Sequence, residues 1–181
     1  MNTSNVTRRY AQAFFTVAGE VKRYEESYGE LRLFTTLIGE NRHLKDFLIN
    51  PVFGKEDKKN VVDRILQKLA LSAMTANFIR LLVEKGRISG IEEIEDNYRK
   101  LMDKAIGVAR VQVKTALPLT DDLSARLKQS IESLTGNKVE MEVEEDASLL
   151  GGVVVRVGDK LYDGSIKAQL NSMMKLLGEE I

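Results

Sequence analysis

The stretch Leu149-Leu150-Gly151-Gly152-Val153-Val154-Val155-Arg156-Val157-Gly158-Asp159-Lys160-Leu161-Tyr162-Asp163-Gly164-Ser165-Ile166 sets a β-branched run between glycines and leads into a helix start. Glycines ahead of a helix offer backbone amides to anions, which raises a phosphate-loop reading. The spacing rejects it. A Walker loop needs a lysine and a hydroxyl after its last glycine, at the mouth of a helix, whereas Gly158-Asp159-Lys160 runs into Leu161-Tyr162. The alternation predicts a β-hairpin instead, with Val153, Val155 and Val157 on one face and Val154 and Arg156 on the other. Gly158 and Asp159 supply the positive-φ positions of a two-residue turn. Leu161-Tyr162 start the return strand, and Asp163 is placed to cap the next helix. Gly151 and Gly152 permit a bend or a close backbone approach ahead of the first strand.

Upstream of the hairpin the same period continues. Val111, Val113 and Thr115 alternate with Arg110, Gln112 and Lys114, which predicts a strand over 108–117, ended by Pro118. Thr120 caps a helix whose buried line is Leu123, Leu127, Ile131 and Leu134, closed by Gly136. Val139, Met141 and Val143 then alternate with Glu140, Glu142 and Glu144. The outward charges of this strand are acidic and those of the earlier strand basic, so the two are expected to be neighbours. Downstream, Ile166, Leu170, Met173 or Met174, and Leu177 form the inner face of a last helix. The segment reads β-α-β-β-α, with helices over one face of a small sheet.

Before Gly107 the period is helical throughout. Apolar stripes predict helices over 5–18, 22–40, 42–49, 55–70, 73–85 and from 91 to about 105, with Asn50-Pro51 stopping the third and Gly86 closing the fifth. Ser89-Gly90-Ile91-Glu92 reads as a capping box opening the sixth. The chain is therefore expected to be α+β. A six-helix bundle over residues 1–105 precedes a small β-α-β-β-α domain over 106–181.

Composition narrows the function by exclusion. The 181 residues carry 27 Lys plus Arg against 27 Asp plus Glu, so no net field favours nucleic acid. The absence of cysteine excludes disulfides and thiol catalysis. No apolar run approaches the ~20 residues needed to cross a bilayer. The first fifteen residues lack the hydrophobic region of a secretory signal and read as the first helix of the fold. The single histidine, His43, has no nominated partner, and the serines sit at helix ends or on polar faces without a strained elbow. The acids from Glu140 to Asp146 alternate on a strand, without the oxygen-rich loop of a cation site. No catalytic, metal or cofactor site is expected.

What remains is apolar excess. The first helix offers Tyr10, Ala11, Ala13, Phe14, Phe15 and Val17, and the fifth Phe78, Ile79, Leu81, Leu82 and Val83. Most of these are expected in the core and a few along a groove for a partner's amphipathic helix.

Three motifs add a resemblance. Arg8-Arg9-Tyr10-Ala11-Gln12-Ala13-Phe14-Phe15, the segment from Asn77-Phe78 to Lys85-Gly86-Arg87, and the opening stretch from Leu150-Gly151-Gly152 to Asp163-Gly164-Ser165 resemble signatures of the F-type ATP synthase delta subunit family. The mitochondrial members of this family are the oligomycin-sensitivity-conferring proteins. The motifs occur in the family's order and span essentially the whole chain. The resemblance implies a non-catalytic stator subunit that ties the N-terminal helices of the α subunits to the peripheral-stalk b subunits. It assigns the α-binding groove to the first and fifth helices, here Tyr10, Ala13, Phe14, Asn77, Phe78, Leu81 and Lys85. It assigns the b contact to the C-terminal domain, where the hairpin reading already makes Gly151, Gly152, Gly158, Asp159 and Asp163 scaffold. It further implies a peripheral place at the cytoplasmic face of a membrane, with membrane association only through the complex. A first stretch that reads as a helix of the fold, and not as a transit peptide, favours a bacterial inner membrane. The charge balance leaves no nucleic-acid partner expected. The rival reading is a free-standing helical adaptor for some other amphipathic helix.

Overall fold

A computed structural model of the chain describes residues 3–158, 160–176 and 178. The chain divides into two compact units, Met1–Met102 and Asp103–Ile181.

The first unit is built from α1 (Thr3–Glu20), α2 (Tyr24–Glu40), α3 (Arg42–Ile49), α4 (Lys55–Leu69), α5 (Ala73–Glu84) and most of α6 (Ile91–Ile106). Its core gathers Ala11, Phe14 and Ala18 of α1 with Leu31 and Phe34 of α2, Ile79 and Leu82 of α5, and Ile94 and Tyr98 of α6. The helices end where local chemistry ends them. Lys22 turns into the left-handed region at φ 55°, so α2 begins at Tyr24, two residues after the position the apolar stripe marks. Asn41 caps α3, its side-chain oxygen accepting from the Leu44 amide at 3.1 Å. Asn50, ahead of Pro51, is extended at ψ 122° and stops it. At the end of α5 the Gly86 amide donates to Val83 and the Arg87 amide to Leu82, the paired bonds of a Schellman turn with glycine at φ 64°.

The start of α6 departs from the capping-box expectation. Residues 88–90 form a 3-10 turn running into the helix, without a side-chain cap. Glu92 instead receives Lys45 at 2.6 Å, and the neighbouring Glu93 accepts from Thr7 at 3.0 Å. Both carboxylates serve to join helices.

The second unit orders β1 (Val108–Thr115), α7 (Asp121–Thr135), β2 (Lys138–Glu145), β3 (Val153–Val157), β4 (Lys160–Asp163) and α8 (Ile166–Leu176). The sheet runs β2-β1-β3-β4, with β1 parallel to β2 and antiparallel to β3. The opposite charges read from the sequence meet in register. Arg110 lies beside Glu140 and Lys114 beside Glu144, at 2.5 and 3.1 Å. Arg110 also holds Asp103 at 2.8 Å. The other face joins Val111, Val113, Val139 and Val155 to Ile131 of α7 in a small core.

Two helices are less buried than their apolar lines predict. On α7 Ile131 is buried and Leu127 half-buried, while Leu123 and Leu134 are exposed. On α8 Ile166, Leu170 and Met173 are exposed, Met174 is half-buried, and Leu177 lies outside the described residues. Of these two helices' described side chains, the small core under the sheet takes Ile131 and Leu127, both from α7. Periodicity marks a face as apolar without saying what covers it.

The opening stretch forms the hairpin, with Val157 opposite Lys160 across the turn. Gly158 sits at φ 58°; Asp159 lies outside the described residues. Gly152, at φ 78°, meets the backbone of the hairpin's far end, where a Cβ would lie 2.3 Å from the Gly164 carbonyl oxygen. A Cβ on Gly151 would strike Ile166. The two strand ends are tied there by Gly164 N–H to the Val153 carbonyl at 2.9 Å and Ile166 N–H to the Gly151 carbonyl at 3.0 Å. Asp163 does not cap α8. The Ser165 hydroxyl does, accepting from the Ala168 amide at 3.1 Å, while Asp163 accepts from the Ser165 amide at 2.9 Å and fixes the turn before it. The aspartate stands one turn position too early to reach the first free amides of the helix.

Candidate helix-docking groove

Between α1 and α5 the first unit opens into a groove of about 690 Å³. Its floor is aromatic. Phe14 and Phe78 stack with ring centroids 4.2 Å apart, and Phe14 leans on the buried Tyr98 at 5.2 Å. These rings belong to the core as much as to the groove, since Phe14 is 3% and Phe78 8% exposed. The walls are open: Val17 is 45% and Leu81 40% exposed, with Ala13 and Asn77 also exposed and Tyr10 and Met74 half-buried. Spacing of three, four and seven residues puts Tyr10, Ala13, Phe14 and Val17 on one side of α1, and Met74, Asn77, Phe78 and Leu81 on one side of α5.

The α5 wall is held at both ends of its first turn and along its side. Glu30 of α2 accepts from the Ser72 amide at 2.8 Å, from the Ser72 hydroxyl at 2.5 Å and from the Thr75 hydroxyl. Burial pushes the Glu30 carboxyl up, but the hydrogen bonds from Ser72 and Thr75 outweigh it and hold the group below its ordinary value. Arg80 reaches Asp63 of α4 at 2.5 Å and donates to Asn77 at 3.0 Å. Tyr98, under the floor, donates to the Tyr24 carbonyl at 3.1 Å. Its phenol is pushed up to about 12 by burial.

Six of the seven residues carried from the resemblance come together here: Tyr10, Ala13, Phe14, Asn77, Phe78 and Leu81. Lys85 does not join them. It is the C-cap of α5, and its ammonium bonds the neighbouring Glu84 at 3.1 Å. The groove also takes in Val6, Arg9, Val17, Met74 and Arg87. Val17 and Met74 lie on the apolar stripes of their helices, and Val6 stands one turn further back along α1. Arg87 lies past the Schellman turn, where no helical period reaches.

A groove walled by two helices and floored by rings is the form in which a protein receives a third, amphipathic helix. On fold and lining the first unit is an all-helical body that opens an apolar groove. Residues 6–177 match the family described as ATP synthase delta (OSCP) subunit, and the chain belongs to that family. It is 52% identical to the ATP synthase subunit delta of Syntrophus aciditrophicus over the full length of both chains. To the subunits delta of Geotalea uraniireducens and Myxococcus xanthus it is 36% and 38% identical, over 98% and 96% of each chain. Its fold is that of a chain in the Toxoplasma gondii mitochondrial ATP synthase hexamer, with a TM-score of 0.71 and 17% identity over 97% of this chain and 98% of that one. The chain is thus a non-catalytic stator subunit of an ATP synthase, and its partners are other subunits of that complex. Among the described residues no helix is long and apolar enough to cross a membrane.

Proposed function

We propose that the groove between α1 and α5 holds the N-terminal amphipathic helix of an ATP synthase α subunit, and that the second unit meets the peripheral-stalk b subunits. The carrying observation is the groove's division into a rigid aromatic floor and exposed aliphatic walls. A stator must resist the torque that a turning rotor puts on the catalytic head. Seating a helix on stacked rings resists it by burial, at about 1.5–3 kcal/mol for each fully buried anchor. Surface ion pairs at about 0–1 kcal/mol each would not suffice. For the b contact, the exposed apolar line Ile166, Leu170 and Met173 of α8 offers an uncovered helix face. The site works at the cytoplasmic face of a bacterial inner membrane, reached through the complex.

The test is affinity capture with the tagged full chain from solubilised membranes of its own organism. Recovery of α and b subunits is expected. Leu81→Asp should lose α while keeping b. Capture of neither subunit by the wild-type chain would overturn the assignment.

A further inference from the structure

The polar chemistry of the groove has one sign. Of its lining side chains, those charged at neutral pH are Arg9 and Arg87, both cationic and both exposed. Neither makes an ion pair or a side-chain hydrogen bond among the described residues. Arg80, on the helix of the α5 wall, is by contrast engaged with Asp63. Asn77 adds a donor. Its carbonyl oxygen is taken by Arg80, and its NH2 has no partner among the described residues.

We infer that Arg9 and Arg87 select the occupant by charge: the helix that fits this groove carries carboxylates beside its apolar stripe, and a helix with the same stripe flanked by lysines is refused. This inference rests on the reading of the groove as a helix site and specifies the partner's chemistry. An apolar stripe alone discriminates poorly between amphipathic helices, because leucine, isoleucine and methionine anchors interchange at small cost. Guanidiniums at the margin supply the discrimination. Each forms a charge-assisted pair with a carboxylate and repels an ammonium, and the planar fork favours carboxylate geometry. Standing exposed, the arginines also draw an acidic helix in before the apolar surfaces meet, so their effect falls as salt rises.

The experiment titrates the full chain calorimetrically with two synthetic amphipathic peptides of about 18 residues, or about five turns. Both carry the same leucine stripe; one is flanked by glutamates and the other by lysines. The wild-type chain should bind the glutamate peptide about tenfold or more tightly than the lysine peptide at low salt, with the ratio shrinking as salt is raised. The double variant Arg9→Glu, Arg87→Glu should invert the order. Circular dichroism checks its fold, and if it misfolds, Arg9→Gln and Arg87→Gln should each weaken the glutamate peptide about 2- to 5-fold. Equal binding of both peptides by the wild-type chain overturns the charge selection and leaves the groove reading standing. Binding of neither removes the groove reading as well.

Discussion

The ring of Phe14 on α1 lies flat against that of Phe78 on α5, with centroids 4.2 Å apart and planes within 6°. The pair joins the two walls of the groove through its floor, so it fixes their spacing before any partner arrives. Phe14→Ala and Phe78→Ala should each cost about 3–5 kcal/mol of stability, as for other buried aromatics. A double-mutant cycle by denaturant titration should return a coupling of about 0.5–1.5 kcal/mol between the rings. Additive losses would show that the stacking has no energy of its own.

Binding must be probed elsewhere, at the walls. Val17→Asp and Leu81→Asp alter exposed side chains and should move stability by no more than about 0.5 kcal/mol. Each should nonetheless weaken binding of an α-subunit N-terminal peptide at least about tenfold, by placing a carboxylate against the apolar face of the incoming helix. Calorimetry on the full chain, paired with thermal unfolding, separates the two quantities. Undiminished binding to both variants would put the peptide somewhere other than this groove.

Glu30 gives a pH-dependent handle on the same wall. Its folded-state carboxyl is held below the ordinary 4.5, so its stabilising share is complete above that value and is lost as pH falls through the lowered one. Glu30→Gln keeps the size but removes the charge that draws the Ser72 and Thr75 donors. It should cost about 1–3 kcal/mol at pH 7. The variant should also lose less stability than the wild type as pH falls below the ordinary 4.5 and on through the lowered value. Parallel acid slopes for the two proteins, measured by denaturant midpoints, would rule out Glu30 as the source.

In the second unit, two glycines at positive φ make unequal demands. At Gly158 an added Cβ meets nothing within 4 Å, so Gly158→Ala should cost only the left-handed penalty of about 1–2 kcal/mol. At Gly152 the same atom would lie 2.3 Å from a backbone oxygen. Backbone cannot step aside as a side chain can, so Gly152→Ala should cost more than about 3 kcal/mol and unfold this unit first. Equal melting of the two variants would mean that the strand ends relax apart more readily than their hydrogen bonds imply.

What the sequence makes legible is what period and charge encode. The valine alternation of 153–157 becomes β3, and the facing basic and acidic strands become the Arg110–Glu140 and Lys114–Glu144 pairs. The charges alone leave the sense of that pairing open, and the helix read between the two strands is the crossover that makes them parallel. Within one helical stripe, Phe14 and Val17 carry the same signal, yet one is floor and the other wall. Only the packing of Phe78 and Tyr98 against Phe14 separates them. Asp163 and Ser165 both suit a cap, and the backbone turn between them decides in favour of the serine. Lys85 shares a motif with the groove residues, but the end of α5 at Glu84 carries it out of the stripe.

The strand order β2-β1-β3-β4 also sets a schedule. β1, which lies between β2 and β3, is the first strand to leave the ribosome, and it must wait for both neighbours, its parallel partner arriving only after α7 has been made. The helices before it can close their hydrogen bonds locally as they emerge, whereas the sheet depends on contacts distant in sequence, which form slowly. Synthesis from the N-terminus therefore favours a groove-bearing unit that is folded while the sheet is still being assembled.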